Sequence, residues 1–136
     1  MVERIGGEEG RLLAREELQR ARDELRAARV LHEHGLYYKS VASAYYAVYH
    51  AAKAALLLKG VVPQSHEGIE RMFSLYYVKT KEVGANIGKL IGRLMKEREE
   101  ADYYPEASFG TEDSLEAMEK AEAFVKEMES ILNLRG

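Results

Sequence analysis

The segment from Leu36 to Lys59 constrains the fold of this chain more than any other part of the sequence. When the segment is drawn as a helix, its valines, tyrosines, leucines and alanines cover most of the circumference. A helix that is apolar almost all round is usually the buried centre of a bundle. The many alanines would let neighbouring helices approach closely. The segment therefore predicts a central helix that other helices enclose.

Further helices are predicted where apolar residues recur at every third or fourth position, and no segment alternates convincingly with period two. Gly35 and Gly60 stand where the first two helices should end, and Ser65 fits the N-cap of the third. We expect one all-α domain over residues 1–136, an up-and-down bundle of four to five helices, with residues 1–8 as a flexible N-terminal arm. Besides the central helix, the predicted helices are Glu9–His34, His66–Thr80, Asn86–Asp102 and Glu112–Leu134.

Composition excludes several classes of protein. The 136 residues contain no cysteine, which excludes disulfides and Cys-ligated metals, and no motif such as HExxH predicts another metal site. The net charge of −3 lacks the basic surplus typical of nucleic-acid-binding domains, so DNA is not an expected partner. No apolar run reaches the roughly 20 residues of a membrane span. We expect a cytoplasmic protein without cofactor, metal or membrane partner, and the high charged fraction is compatible with a thermophilic source.

A stripe of polar residues interrupts one side of the central helix. Measured from Ser43, Tyr46, His50 and Lys53 follow at offsets of 3, 7 and 10 residues, which places all four on one narrow line, the polar stripe. The stripe has two interpretations. It could line a binding site, with His50 as a general base or ligand contact. Alternatively, its side chains only hydrogen-bond to neighbouring helices or to backbone, and Lys53 reaches solvent.

The fourth predicted helix carries an arginine on its inner face. Arg98 continues the apolar spacing of Ile87, Ile91 and Leu94, and an unpaired arginine on a core-facing stripe would be strongly destabilising. Asp102, one turn further on, can pair with it. The pair could simply close the end of the bundle. It could also form a cationic pocket for phosphate or for developing negative charge.

Three stretches of the sequence, taken together, resemble the stand-alone prokaryotic HEPN domains. They are SAYYAVYHAAKAAL from Ser43 to Leu56, then KG at Lys59 followed by SH at Ser65, and REEADY from Arg98 to Tyr103. The resemblance covers about residues 10–134. It implies a helical bundle that forms homodimers across the face bearing the arginine. It also implies a minimal nucleotidyltransferase as partner, often in a toxin–antitoxin pair.

The resemblance also implies a metal-independent ribonuclease, but the motif for that activity is incomplete. Active toxins of the family use Arg-x(4–6)-His, in which arginine stabilises the phosphate and histidine performs acid–base chemistry. Arg98 carries over, whereas Tyr103 stands where histidine is expected and no histidine follows it. A phenol with a pKa of about 10 is a poor base at neutral pH. Cleavage would need His50 or His66, from another helix.

The expected function is therefore that of a homodimeric HEPN partner of a minimal nucleotidyltransferase. It would bind a nucleotide or RNA phosphate through Arg98, with Ser43, Tyr46 and Lys53 lining the site. The alternative is a ribonuclease whose catalytic residues are Arg98, Asp102 and His50; a purely structural helical dimer is the third interpretation. The resemblance further implies modification at Tyr103 or Tyr104, which lie near the tyrosine that the partner enzyme adenylylates in some toxins of this family.

Overall fold

The computed structural model describes residues 3–104 and 109–135, and within these residues the chain forms five α-helices. The all-α class is therefore confirmed. One predicted helix differs: the expected single helix over residues 66–80 is α-helical only to Phe73 and continues as a π-helical turn, Ser74–Val78. The helices are α1 (Gly7–Glu33), α2 (Tyr37–Leu58), α3 (His66–Phe73), α4 (Ala85–Tyr103) and α5 (Thr111–Arg135).

Helix α2 is the centre of the bundle, as its apolar circumference predicts. It packs against α1, α3, α4 and α5. Its alanines at the contacts are almost fully buried, and the buried Ser40 hydroxyl donates a 2.7 Å hydrogen bond to the carbonyl oxygen of Ala28 on α1. None of the helices in the described ranges is both long enough and apolar enough to cross a membrane.

Glycine allows α1 and α2 to lie against each other at one end of the bundle. A Cβ atom on Gly10 would overlap the carbonyl oxygen of Leu57. At the ends of α1 and α2, Gly35 and Gly60 take φ values of 76° and 75°, the left-handed conformation that glycine adopts most easily after a helix. The predicted helix stops are therefore confirmed.

The N-terminal segment is held by backbone hydrogen bonds. Glu3–Arg4 pairs antiparallel with Val61–Val62, and the amide of Ile5 donates to the carbonyl of Gly60 at 3.0 Å. Helix α1 then starts at Gly7, so four of the six described residues of the segment expected as a flexible arm belong to regular structure. Met1 and Val2 lie outside the described residues. Strands of two residues are too short for a period-two pattern to reveal them.

The start of α3 is fixed by a side-chain cap. The Ser65 hydroxyl accepts a 3.0 Å hydrogen bond from the amide of Gly68, which confirms the predicted N-cap. His66 is therefore the first residue of α3, and its ring lies beside the tyrosines of α2. The cap thus contributes directly to the candidate site.

Gly10→Ala should destabilise the protein by about 1–3 kcal/mol, because the added methyl must displace the backbone of α2 at Leu57. Urea unfolding followed by circular dichroism measures this change. Gly7→Ala, on the same helix with nothing within 4 Å of the new Cβ, is the matched control and should not destabilise. Equal stability of the two variants would contradict the close approach.

Candidate functional site

Arg98 lies on α4 and is held between two tyrosines of α2. Its side chain is only 20% exposed, and Nη1 donates a 2.9 Å hydrogen bond to the hydroxyl oxygen of Tyr46. The guanidinium carbon is 5.2 Å from the ring centroid of Tyr45 and 5.8 Å from that of Tyr46. Both distances suit a cation–π interaction. Tyr46, rather than Asp102 alone, therefore anchors the arginine.

Asp102 interacts with Arg98 more loosely than expected from the sequence. Its Oδ2 lies 3.7 Å from Arg98 Nε, which is an ion pair but is too long for a hydrogen bond. Nε is buried and has no hydrogen-bond partner among the described residues. Burial by itself lowers the pKa of Arg98, but the Tyr46 hydrogen bond and the Asp102 charge raise it overall. Arg98 is therefore a permanent cation.

His66 joins the site from the first position of α3. Its Nδ1 is 3.0 Å from the Tyr45 hydroxyl, and its ring stacks on Tyr49 with 4.0 Å between centroids and 6° between planes. Burial lowers the pKa of His66, and the charges of Arg98, His50 and Lys53 lower it further. The imidazole is therefore mainly neutral at pH 7 and can accept a proton. We call Arg98, Tyr45, Tyr46 and His66 the Arg98 site.

His50 and Lys53 of the polar stripe meet a carboxylate on α1 that the sequence pattern did not reveal. Glu17, with a side chain only 9% exposed, places Oε2 2.6 Å from His50 Nδ1 and Oε1 3.6 Å from Lys53 Nζ. Arg20 lies 3.3 Å from the same Oε1. In the sequence, Glu17 is one of six acidic residues that six arginines balance along residues 9–34, a pattern typical of a solvated helix face. Its position three residues after Ala14, on the apolar side of α1, was the signal that could have identified it.

The Glu17 carboxylate is ionised despite its burial. Burial raises the pKa of Glu17, but the hydrogen bond with His50 and the charges of Lys53, His50 and Arg20 together bring it below its ordinary value. One carboxylate therefore faces a lysine, an arginine and an imidazole.

Ser43, Tyr103 and Tyr104 lie around the Arg98 site rather than in it. Ser43 lines a shallow groove with Tyr46, Asp102 and Glu24. Tyr103 and Tyr104, which are 72% and 62% exposed, end α4 and lie accessible to solvent. The structure thus brings Arg98, Tyr46, His50 and Lys53 onto one face and leaves the proposed modification residues at its edge.

The arrangement contains groups that suit anion binding and proton transfer. Four helices each contribute at least one group: Glu17 from α1, the polar stripe from α2, His66 from α3 and Arg98 from α4. Within residues 3–104 and 109–135, no group of three or more His, Asp or Glu side chains is placed to hold a metal ion. Arginine and imidazole are the groups that bind phosphate and move protons without a metal.

The model of the HEPN domain family matches residues 14–131 of this chain. The chain belongs to the HEPN family. Among the relatives of this HEPN protein is a Methanocaldococcus jannaschii protein that carries the name "putative toxin". It is 38% identical over 123 residues, which cover 87% of this chain and 90% of the relative. A Thermotoga maritima protein, named only as a UPF0332 protein, is 31% identical over 114 residues, covering 84% of this chain and 86% of the relative.

Solved structures agree with the HEPN fold. The crystal structure of a Thermus thermophilus protein aligns with a TM-score of 0.74 at 23% identity, covering 86% of this chain and 96% of the other. That of an archaeal HEPN homologue aligns with a TM-score of 0.71 at 18% identity, covering 88% and 97%. At these identities the likeness concerns the fold. The HEPN-like bundle expected from the sequence is confirmed.

Tyr46→Phe should lower the free energy of unfolding of this HEPN domain by about 1–3 kcal/mol, because the largely buried Arg98 loses the acceptor of its hydrogen bond. Chemical denaturation measures the change. Tyr38→Phe, which alters an exposed tyrosine on the same helix, should have little effect. If both variants are equally stable, the Tyr46 hydroxyl does not anchor Arg98.

Arg98→Ala should raise the pKa of His66 toward its ordinary value of 6.5, because burial would still lower the pKa but the repulsion from the Arg98 charge would be gone. NMR titration of the imidazole measures this change in pKa.

In the wild type, the lowered pKa of His66 means that the unfolded chain binds this proton more readily than the folded chain. His66 therefore lowers the free energy of unfolding as the pH falls through 6.5 and has no effect well above that pH. Arg93→Ala, on the exposed side of α4, should leave the pKa unchanged. An unchanged pKa in Arg98→Ala would contradict the electrostatic coupling.

Proposed function

We propose that this HEPN protein binds a phosphate-bearing ligand, a nucleotide or an RNA, at the Arg98 site. The observation that supports the proposal is the state of the guanidinium. It is fixed by Tyr45 and Tyr46, yet one hydroxyl oxygen is its only hydrogen-bond acceptor in the described structure. Arginine has five N–H donors in a planar fork that matches phosphate. With Nε buried and Nη1 donating to Tyr46, the donors left for a ligand are the second N–H of Nη1 and both N–H groups of Nη2.

The polar stripe extends the Arg98 site along α2. From Tyr46, which anchors Arg98, His50 is four residues further and Lys53 seven, so they lie one and two helical turns away. His66 touches both Tyr45 and Tyr49, between Arg98 and His50. A phosphate at Arg98 would therefore have further cationic or neutral imidazole groups beside it. A chain with a net negative charge can contain such a site, because the site depends on the charges of only a few residues.

The biological setting that we propose is a toxin–antitoxin-type pair. Two Methanocaldococcus jannaschii relatives, 38% and 26% identical to this chain, carry the name "putative toxin". A homodimer of this chain, working with a minimal nucleotidyltransferase as its partner, is the arrangement that the resemblance of the Arg98 motif supports. A nucleotidyltransferase gene beside the gene for this chain would strengthen the proposed partnership, and its absence would weaken it.

A metal-independent ribonuclease is the second candidate function, and His66 is the observation that favours it. The family motif lacks its histidine here, but the fold places His66, largely neutral at pH 7, against the same tyrosine that packs on Arg98. A neutral imidazole can accept the proton of a ribose 2′-hydroxyl while arginine stabilises the charge that develops on the phosphate. The site would then comprise Arg98, His66 and His50, with Asp102 pairing with the arginine.

Arg98→Ala should weaken binding of ATP and of a short fluorescein-labelled single-stranded RNA by about 10-fold or more, because charge-assisted hydrogen bonds to phosphate are lost. Fluorescence anisotropy measures RNA binding, and calorimetry measures ATP binding. Arg93→Ala is the matched control, since it removes an exposed arginine from the same helix. Thermal unfolding of both variants establishes that they are folded. Binding that Arg98→Ala leaves intact would overturn the proposal.

The same RNA, analysed on a denaturing gel after incubation, separates the two candidate functions. Intact RNA that is bound through Arg98 supports the binding protein. Cleavage by the wild type that both Arg98→Ala and His66→Ala abolish establishes the ribonuclease. Cleavage that survives both substitutions comes from a contaminating nuclease and excludes this site as its source.

A further inference from the structure

We propose that Glu17 is a positioning residue, which orients His50 toward a ligand bound beside Arg98. The inference rests on the proposed phosphate-binding function and assigns a role to a residue on α1, outside the motif that identifies the family. Three observations support it: the burial of Glu17, the geometry of its contact with His50, and the exposed remainder of the His50 ring.

The burial of Glu17 requires an explanation. Its side chain is about nine-tenths buried on a helix whose other buried residues are glycine, alanine and leucine. Burying a carboxylate is unfavourable unless charges and hydrogen bonds compensate. Here the compensating groups are His50, Lys53 and Arg20. A leucine in this position would fit the apolar side of α1 without any such partner.

The geometry of the contact fixes the state of His50. The 2.6 Å contact joins Glu17 Oε2 to Nδ1, and an ionised carboxylate can only accept, so Nδ1 carries the proton. In the neutral ring the lone pair is then on Nε2. This is how a carboxylate orients an active-site histidine: it sets the ring plane and the tautomer, and it stabilises the imidazolium when the ring is protonated.

The part of the His50 ring that carries Nε2 is free to contact a ligand. The side chain remains 19% exposed, and the hydrogen bond that His50 makes among the described residues is the one at Nδ1. The ring edge packs on Tyr49, whose face carries His66. Nε2 is therefore the free polar atom of a ring that is fixed on its other side, next to the Arg98 site.

A role restricted to holding α1 and α2 together explains less. These helices already have the most extensive contact in the bundle, with small residues and the Ser40–Ala28 hydrogen bond between them. Lys53 and Arg20 also lie within ion-pair distance of Glu17, so groups other than His50 already offset its charge. The contact with His50 adds something that those ion pairs do not, because it orients the imidazole ring.

The test is a double-mutant cycle on binding of the labelled single-stranded RNA. Glu17→Gln keeps the size of the side chain and should weaken binding by about 10-fold, as is typical when the partner that orients a functional histidine is removed. In a His50→Gln background the same substitution should cause almost no further loss, because Glu17 acts through His50. Glu16→Gln, an exposed neighbour on α1, is the matched control and should leave binding unchanged.

The outcomes separate this inference from the proposed function. Arg98-dependent binding that Glu17→Gln does not weaken would overturn the inference and leave the function standing. Equal losses in both backgrounds would also overturn it, since Glu17 would then act independently of His50. Absence of any Arg98-dependent binding would overturn both. If Glu17→Gln does not fold, NMR of the wild-type imidazole nitrogens decides: a neutral His50 with its proton on Nε2 would exclude the proposed orientation.

Discussion

The close packing of small residues around α2 is the constraint on which the rest of the structure depends. Because α2 presents alanines to its neighbours, backbones rather than long side chains set the distances between helices, and Gly10 extends this to the edge of α1. Such packing tolerates little change in volume. This packing fixes the position of α1 along the axis of α2, and it therefore places Glu17 opposite His50.

Polar groups of the site lie where this packing ends. Tyr45 is almost fully buried, and burial, partly offset by the charge of Arg98, raises the pKa of its phenol to about 12. The phenol is therefore neutral at any physiological pH and acts as a hydrogen-bonding and packing group between Arg98 and His66. The tyrosines of α2 thus do two things at once: they complete the core, and they position one cation and one imidazole at its surface.

Much of the fold could be predicted because its determinants are local. Helix positions follow from the spacing of apolar residues, and the stops at Gly35 and Gly60 follow from backbone conformation. The site was predictable only in part. Arg98 and the polar stripe violate the apolar pattern of their own helices, so each could be recognised alone. That Tyr46 rather than Asp102 anchors Arg98, and that Glu17 supports His50, depends on how helices distant in sequence dock against one another. The pairing of the two-residue strands likewise joins segments that are distant in sequence.

The distribution of the site over four helices ties its existence to the integrity of the whole domain. No pair of consecutive helices holds Glu17, His50, His66 and Arg98 together, since these residues come from α1, α2, α3 and α4. Partial opening that releases α1 or α4 would separate the charged groups long before the chain unfolds completely. For a protein proposed to bind nucleotides or RNA, a nascent or partly degraded chain would then lack the binding site, and only the fully assembled domain would have it.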